Sequence, residues 1–453
     1  MTALYYTLGV VLFVVAILVS IGLHELGHMI PAKRFGGKVT QYFIGFGPTV
    51  WSKQVGETEY GVKAIPLGGY VKIVGMLPPE AEQLVDSVEV DEHGQQVQRI
   101  RKSNTGMFTQ LISDARAAEW ELVGPDDSDR LFYKLPWWKK VIVMAGGPTV
   151  NILIAFFIFW GVFATYGQRS VEAEPGAPVI NTVSQCVLPA TEQERACTPE
   201  DPVAPALEAG LRPGDTITSF NGVAITGWDQ LRGLIQDNAD GRAVIGYERD
   251  GRALTGTTST TVETRPTSET DETLRQVGFL GVSPTTHQVV ETGGPIYTLD
   301  QMGTMTVETA EALVQLPAKV WGVARAIVGL EERALDSPVS IVGGGRLAGE
   351  TVSHETFPVQ EKTVFLLMLI AGFNFFIGMF NFVPLLPLDG GHIASALWEA
   401  IRRGAARVRG RPDPGYVDAA KLLPVAYVVA SVLLVMGVVL IVGDLVVPLH
   451  LEG

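Results

Sequence analysis

The chain has 453 residues, of which 47% are hydrophobic and 18% charged, and its mean hydropathy is +0.25. This balance is too apolar for an ordinary soluble protein and predicts several membrane spans joined to soluble segments. The formal net charge of −14 argues against nucleic acid as a partner. The two cysteines form no Cys-x-x-Cys pattern, so any bound metal needs histidine and carboxylate ligands.

Four apolar runs are long enough to cross a bilayer, which takes about 20 helical residues. They are Ala3–Leu23, Val141–Gly167, Thr363–Leu388 and Leu422–Gly443. No basic residue precedes the first run and no small-residue cleavage site follows it. We therefore expect an uncleaved span there rather than a signal peptide.

Basic residues gather on one side of these runs. They are Lys33, Arg34 and Lys38 after span 1, Lys134, Lys139 and Lys140 before span 2, and Arg402, Arg403, Arg407, Arg409, Arg411 and Lys421 between spans 3 and 4. The positive-inside rule then predicts that both termini are extracytoplasmic and that these basic loops are cytoplasmic. The segment between spans 2 and 3 is extracytoplasmic, where we expect a Cys186–Cys197 disulfide, with two free thiols as the alternative.

A metal-binding pattern, His24-Glu25-Leu26-Gly27-His28, follows the first apolar run. Two histidines at i and i+4 lie on one helix face and can bind one ion, and Glu25 between them can act as a base toward water. The bare pattern also occurs by chance in solvated helices. Ionisable residues at the end of a span are functional by default, however, and mere contact with headgroups fits Lys33 and Arg34 better.

A third ligand is expected, because a catalytic zinc usually takes three from the protein and keeps one position open. Asp389 is the candidate, since spans 1 and 3 run in the same direction and bring His24 and Asp389 to the same cytoplasmic depth. A helix-ending Asp-Gly turn is the simpler alternative for Asp389. His392 is either a supporting group or an unrelated surface histidine.

Polar residues within span 3 are further candidates. Unpaired amides are costly inside a membrane, so Asn374 and Asn381 either bridge helices or hold the substrate backbone or a developing oxyanion. Both interpretations stay open for Asn374, whereas function is favoured for Asn381. Pro384 lies in the stretch of span 3 expected to hold an unwound substrate from the side opposite the segment 36–76. Asn151 is expected to pack helices near the site.

The cytoplasmic segment 36–76 predicts a β hairpin beside the membrane. It is either a packing ribbon or a strand edge that pairs with an extended substrate, contacting it at Gly68 and Gly69. Residues 77–136 predict a polar insertion, partly disordered, with a short helix near 106–121.

The fold class expected is a polytopic α-helical membrane protein with four transmembrane helices, this β region and an extracytoplasmic α+β domain. Its predicted segments are 1–35 with span 1, 36–76, 77–136, 137–168 with span 2, 172–290 as the α+β domain, 300–360 as an amphipathic helical segment, 361–392 with span 3, 393–421 as a basic loop, and 422–446 with span 4.

Together these motifs resemble the site-2 protease family of intramembrane zinc metalloproteases, in the branch typified by the regulator of sigma-E protease. The resemblance covers nearly the whole chain. It is carried by His24–His28, by Gly147-Pro148-Thr149-Val150-Asn151, and by the run from Asn381 to Gly390. The run Gly210-Leu211-Arg212-Pro213-Gly214-Asp215 with Asn221-Gly222 looks like the family's PDZ domain, present here once rather than twice.

The resemblance implies Zn²⁺ held by His24, His28 and Asp389, with Glu25 as catalytic base, in the bacterial cytoplasmic membrane. It also implies cleavage of single-pass membrane proteins already trimmed by another protease, such as anti-sigma factors, with peptide ends read by the PDZ domain. Two alternatives belong to other classes. One is a PDZ-containing membrane scaffold with a non-catalytic metal site, and the other is an ion transporter that uses the buried ionisable residues.

Overall fold

The computed structural model describes residues 2–78, 88–90, 96–98, 107–120, 123–124, 127–188, 196–266, 274–334 and 336–449. The chain divides into two compact units, Met1–Tyr166 with Gly293–Gly453, and Gly167–Thr292. Part of the segment 77–136, for which partial disorder is predicted, lies outside the described residues.

The helices in chain order are α1 Thr2–Arg34, α2 Met107–Trp120, α3 Trp137–Thr165, α4 Pro205–Glu208, α5 Trp228–Asp237, α6 Pro295–Ile327, α7 Ile341–Ser353, α8 Val359–Asn381, α9 Asp389–Val408 and α10 Leu423–Val446. Among the described residues, four helical stretches are long and apolar enough to cross a membrane: α1, α3, α8 and Ala419–Val446, which contains α10. They coincide with the four predicted spans. Helix α2 matches the short helix expected near 106–121.

The strands are β1 Val39–Val55, β2 Thr58–Ile73, β3 Val88–Val90, β4 Gln96–Gln98, β5 Gln168–Ala173, β6 Ile180–Val183, β7 Thr216–Phe220, β8 Val223–Ala224, β9 Arg242–Arg249, β10 Arg252–Ser259, β11 Thr261–Pro266, β12 Leu274–Phe279, β13 Val282–Pro284 and β14 Thr286–Glu291. Strands β1 and β2 form the predicted hairpin over 36–76, with Val39 opposite Ile73 and Val55 opposite Thr58. The base of the hairpin packs against α1 and α3, because Val39 and Ile73 share a buried core with Met29 and Val143.

The third span differs from its prediction, which treated 361–392 as one transmembrane helix. Helix α8 ends at Asn381, a turn follows, and α9 begins at Asp389. Pro384 and Pro387 have no backbone N–H to continue a helical hydrogen-bond ladder. Helix α9 also replaces most of the basic loop predicted over 393–421, since the clustered arginines obscured its amphipathic pattern.

Glycines allow the helices of the first unit to approach closely. A Cβ on Gly27 of α1 would overlap the Gly146 carbonyl of α3, and one on Gly146 would overlap the Gly27 carbonyl. Helix α7 packs on α1 in the same way, because a Cβ on Gly9 of α1 would overlap the Ala348 carbonyl of α7. Small residues at such crossings let backbones meet, which drives helix association in membranes.

The second unit has its own core and its own sheet, with strand order β10-β9-β7-β8. Leu211, Ile217, Leu231 and Ile245 are buried together in this core. The predicted Asn221-Gly222 turn joins β7 to β8, and both residues have positive φ. The predicted disulfide is present between Cys186 and Cys197.

A buried carboxylate ties the second unit together. Asp215 accepts hydrogen bonds from Arg249 Nε at 2.7 Å, from Arg249 Nη2 at 2.8 Å and from the Arg212 backbone N–H at 2.7 Å. Burial raises the pKa of Asp215, but these donors outweigh burial and hold the pKa below its usual value. The carboxylate therefore stabilises this unit above the unfolded-state pKa near 3.9, and that contribution is lost as pH falls through the folded-state pKa.

We expect Asp215→Asn to speed hydrogen exchange of the Ile217 amide, which donates to the Pro178 carbonyl. At pH 7 the increase should be about tenfold or more, as for loss of one charged hydrogen bond, and it should shrink as the wild-type carboxylate becomes protonated. Asp229→Asn is the control, because the Asp229–Arg232 pair is exposed. Equal exchange in wild type and Asp215→Asn at pH 7 would contradict the assignment.

Candidate metal centre

Three potential ligand atoms meet where α1, α3 and α9 come together. His24 Nε2 lies 3.2 Å from His28 Nε2, and Asp389 Oδ2 lies 3.4 Å from the first and 3.3 Å from the second. The histidines are one turn apart on α1, while Asp389 is the first residue of α9. Among the described residues, these three are the cluster of His, Cys, Asp or Glu side chains whose ligand atoms lie close enough together to hold a metal ion.

The separations of these atoms suit zinc. Zinc–nitrogen and zinc–oxygen bonds of about 2.0–2.1 Å in a tetrahedron place neighbouring ligand atoms about 3.3 Å apart, close to the three distances observed. Space beside the imidazoles is kept open by Gly147, because a Cβ there would collide with both Nε2 atoms. Two imidazoles and one carboxylate also form a donor set typical of catalytic zinc.

The backbone of α3 orients His28. His28 Nδ1 lies 2.8 Å from the Val143 carbonyl oxygen. A carbonyl only accepts, so Nδ1 carries the proton and Nε2 presents its lone pair toward His24 and Asp389. His24 Nδ1 is buried without a hydrogen-bond partner in the described part of the chain, which leaves the orientation of His24 to packing.

A cavity of about 400 Å³ opens beside the three ligand atoms. Its lining residues are Ser20, Ile21, His24, Glu25, His28, Gly68, Gly69, Tyr70, Val71, Ile73, Met76, Met144, Asn151, Ile377, Asn381, Pro387, Asp389 and His392. The cavity thus brings α1, β2, α3, α8 and α9 to one place. Half of these residues are apolar or glycine, and the other half carry polar or ionisable side chains that can contact a bound peptide.

Glu25 lies on the cavity wall next to β2. A Cβ on Gly69 would come within 3.0 Å of Glu25 Cγ, so glycine at this position allows the strand to approach α1. Gly68 has a φ of +105°, a conformation that strains other residues. The edge of β2 therefore borders the cavity beside Glu25, the predicted catalytic base.

The sequence-predicted substrate residues divide into two sets. Gly68, Gly69 and Asn381 line the cavity, whereas Asn374 and Pro384 do not. Asn381 and Asn374 each donate a hydrogen bond to the carbonyl one turn earlier, at 3.1 Å and 2.8 Å. Asn374 is fully buried, and its Oδ1 has no partner among the described residues.

Several cavity residues were not predicted as part of the site. Ser20 precedes His24 by one helical turn, so the i, i+4 spacing could have indicated it. Tyr70, Met76 and Met144 come from separate elements and give no sequence signal of their own. His392 and Asn151, which the sequence left open or assigned to packing, also line the cavity.

Comparison with known proteins identifies the family. A model described as peptidase family M50 matches residues 12–415. Zinc metalloprotease Rip1 of Mycobacterium tuberculosis is 34% identical over 98% of this chain and 99% of its own length. A putative zinc metalloprotease of Brucella suis is 27% identical over 86% and 85%, and metalloprotease MmpA of Caulobacter vibrioides is 24% identical over 87% and 87%. The chain belongs to peptidase family M50, the site-2 protease family, and is an intramembrane zinc metalloprotease of regulated intramembrane proteolysis.

Proposed function

We propose that His24, His28 and Asp389 are the zinc ligands of this protease and that Glu25 is its general base. The observation that carries the proposal is the triangle of donor atoms, 3.2–3.4 Å on each side, at the wall of a cavity that also contains Glu25. A scaffold needs no base beside its metal, so Glu25 favours catalysis over that alternative.

Each group then has a distinct task in peptide hydrolysis. A zinc ion held by His24, His28 and Asp389 would supply a Lewis acid that polarises the scissile carbonyl and lowers the pKa of a water molecule. Glu25 takes the proton of the attacking water and delivers it to the departing amine. The Val143 carbonyl keeps His28 in the tautomer that can act as a ligand.

The substrate is held in extended form. A transmembrane helix hides its carbonyls in its own hydrogen bonds, so the segment to be cut must first unwind. The edge of β2 at Gly68 and Gly69 offers backbone groups for strand pairing beside Glu25. Asn381 faces the same cavity from α8 and can hold the peptide backbone or the developing oxyanion.

The membrane topology and the substrate class that we propose rest on the basic residues flanking the spans and on the family resemblance. Both termini and the unit Gly167–Thr292 are extracytoplasmic, and the active site lies near the cytoplasmic face. That unit is a single PDZ domain, supported by its Gly210–Asp215 turn, its Asn221-Gly222 hairpin and helix α5. It reads the ends or limits the size of membrane proteins that another protease has already cut, with anti-sigma factors as the candidate class.

Glu25→Gln should lower cleavage of a single-pass membrane reporter by about 10²- to 10⁴-fold, the usual contribution of a general base. Its zinc content should remain that of wild type, because Glu25 is not a ligand. Both are measured on the purified full-length protein. Glu174→Gln is an exposed control. Wild-type cleavage by Glu25→Gln would favour the scaffold.

Asp389→Ala should lose zinc. Removal of a direct ligand is expected to weaken zinc affinity by more than the roughly 10- to 100-fold seen for residues that only support a ligand. Affinity is measured by competition with a chelator of known strength. Undiminished affinity would exclude Asp389 from the site.

Asn381→Ala and Asn374→Ala form a matched pair on α8. Asn381→Ala should lower kcat by about 10²- to 10³-fold if its amide stabilises the oxyanion, and should raise KM if it holds the substrate backbone. Asn374→Ala should leave kcat/KM nearly unchanged, because its side chain does not line the cavity and its amide donates within α8. Unchanged kinetics in Asn381→Ala would remove it from the site.

A further inference from the structure

A buried ion pair joins α3 to α9 and has no part in the chemistry described above. Lys140 Nζ lies 2.7 Å from Glu399 Oε2, and these side chains are only 8% and 1% exposed. Arg403 Nη2 reaches the other carboxylate oxygen at 3.2 Å. The ring of Tyr416 covers the cluster, with its centroid 5.1 Å from Lys140 Nζ and 5.0 Å from Arg403 Cζ.

Such a pair is expensive to keep. Moving each charge out of water costs several kcal/mol, and well-packed apolar residues of similar volume often serve stability equally well. The buried charges are therefore expected to fix a geometry rather than simply to add stability. The element whose position they fix is α9.

Helix α9 carries Asp389 as its first residue and Glu399 ten residues later, about 15 Å along the helix. The turn after α8 and the packing of Gly390, Gly391 and Ile393 attach the first turns of α9. A helix attached at one end still depends on contacts further along it for its tilt. Glu399 supplies that second attachment point through Lys140. A shift of α9 by even 1 Å would change the distance from Asp389 to both histidines.

Lys140, the other member of the pair, lies close to the group that orients His28. Lys140 precedes Val143 by three residues, so the two lie on the same face of α3. The Val143 carbonyl accepts a hydrogen bond from His28 Nδ1. One turn of α3 thus orients a histidine of α1 with its backbone and anchors α9 with its side chain.

We propose that Lys140 and Glu399 are positioning residues that hold Asp389 at ligand distance from His24 and His28. This inference rests on the proposed zinc site. It predicts that breaking the pair weakens zinc binding although neither residue contacts the metal.

The chain offers a matched control in a second buried ion pair. Arg333 and Asp444 are 2.8 Å apart and 4% and 2% exposed. Asp444 also accepts from the Ser340 and Gly343 backbone N–H groups, beside the start of α7. Neighbouring Gly344 packs on Phe13, which lies eleven residues before His24, about 16 Å along α1.

The test measures zinc affinity by chelator competition on the purified full-length protein, beside its unfolding temperature. Glu399→Gln and Lys140→Met should each weaken zinc affinity by roughly 10- to 100-fold, as for residues that support a ligand. Lys140→Arg keeps the charge and should stay within a few-fold of wild type. Asp444→Asn should lower the unfolding temperature but leave zinc affinity within about twofold.

Two results would overturn the inference. One is wild-type zinc affinity in both Glu399→Gln and Lys140→Met while Asp389→Ala loses zinc, which would leave the proposed site intact. The other is a loss of zinc affinity in Asp444→Asn as large as that in Glu399→Gln, because any destabilised variant would then bind zinc more weakly. Retention of zinc by Asp389→Ala would instead refute the proposed site itself. If Glu399→Gln does not fold, Glu399→Asp, whose carboxylate is one methylene shorter, is measured in its place and should show a smaller loss of affinity.

Discussion

The close contact between α1 and α3 at Gly27, Gly146 and Gly147 is the constraint on which the rest of the site depends. Larger side chains would separate the two backbones, and His28 could then no longer reach the Val143 carbonyl. The missing Cβ of Gly147 also leaves room beside both Nε2 atoms. His28 is only 6% exposed, so a misplaced imidazole would leave its N–H buried without a partner. The helix crossing and the orientation of His28 are therefore one structural requirement.

Three further elements contribute to the site beside α1 and α3. Strand β2 approaches α1 at Gly69, α8 contributes Asn381, and α9 begins at Asp389. Each of these three contacts comes from the end of a helix or the edge of a strand rather than from the middle of a span. Polar groups therefore gather where helices begin or end, which is where backbone donors and acceptors already need partners. These elements add polar groups to the cavity that α1 lines with His24, Glu25 and His28.

The motif residues and the spans were predictable because each leaves a periodic or compositional signal. His24 and His28 share a helix face by their spacing, and the direction of the spans brought Asp389 to the same depth without any structural information. The β1–β2 hairpin followed from alternation and turn residues, and the Cys186–Cys197 disulfide followed from the predicted compartment. These features depend on local sequence or on the simple geometry of a bilayer.

Helix α9 was missed for a physical reason, whereas α7 lies within the helical segment predicted over 300–360. Gly343, Gly344 and Gly345 lower intrinsic helix propensity. Helix α7 nevertheless forms, with Gly344 packed closely on Phe13 of α1 and Gly349 on Tyr6. In α9 the arginines suggested a solvated loop, and Lys140 was counted among the solvated basic flanks although it is buried against Glu399. A lysine considered without its partner is expected at the surface. Lys140 belongs to the interior because it pairs with Glu399, which lies 259 residues away along the chain. Long-range pairing of this kind carries the geometry of the site, and no local pattern records it.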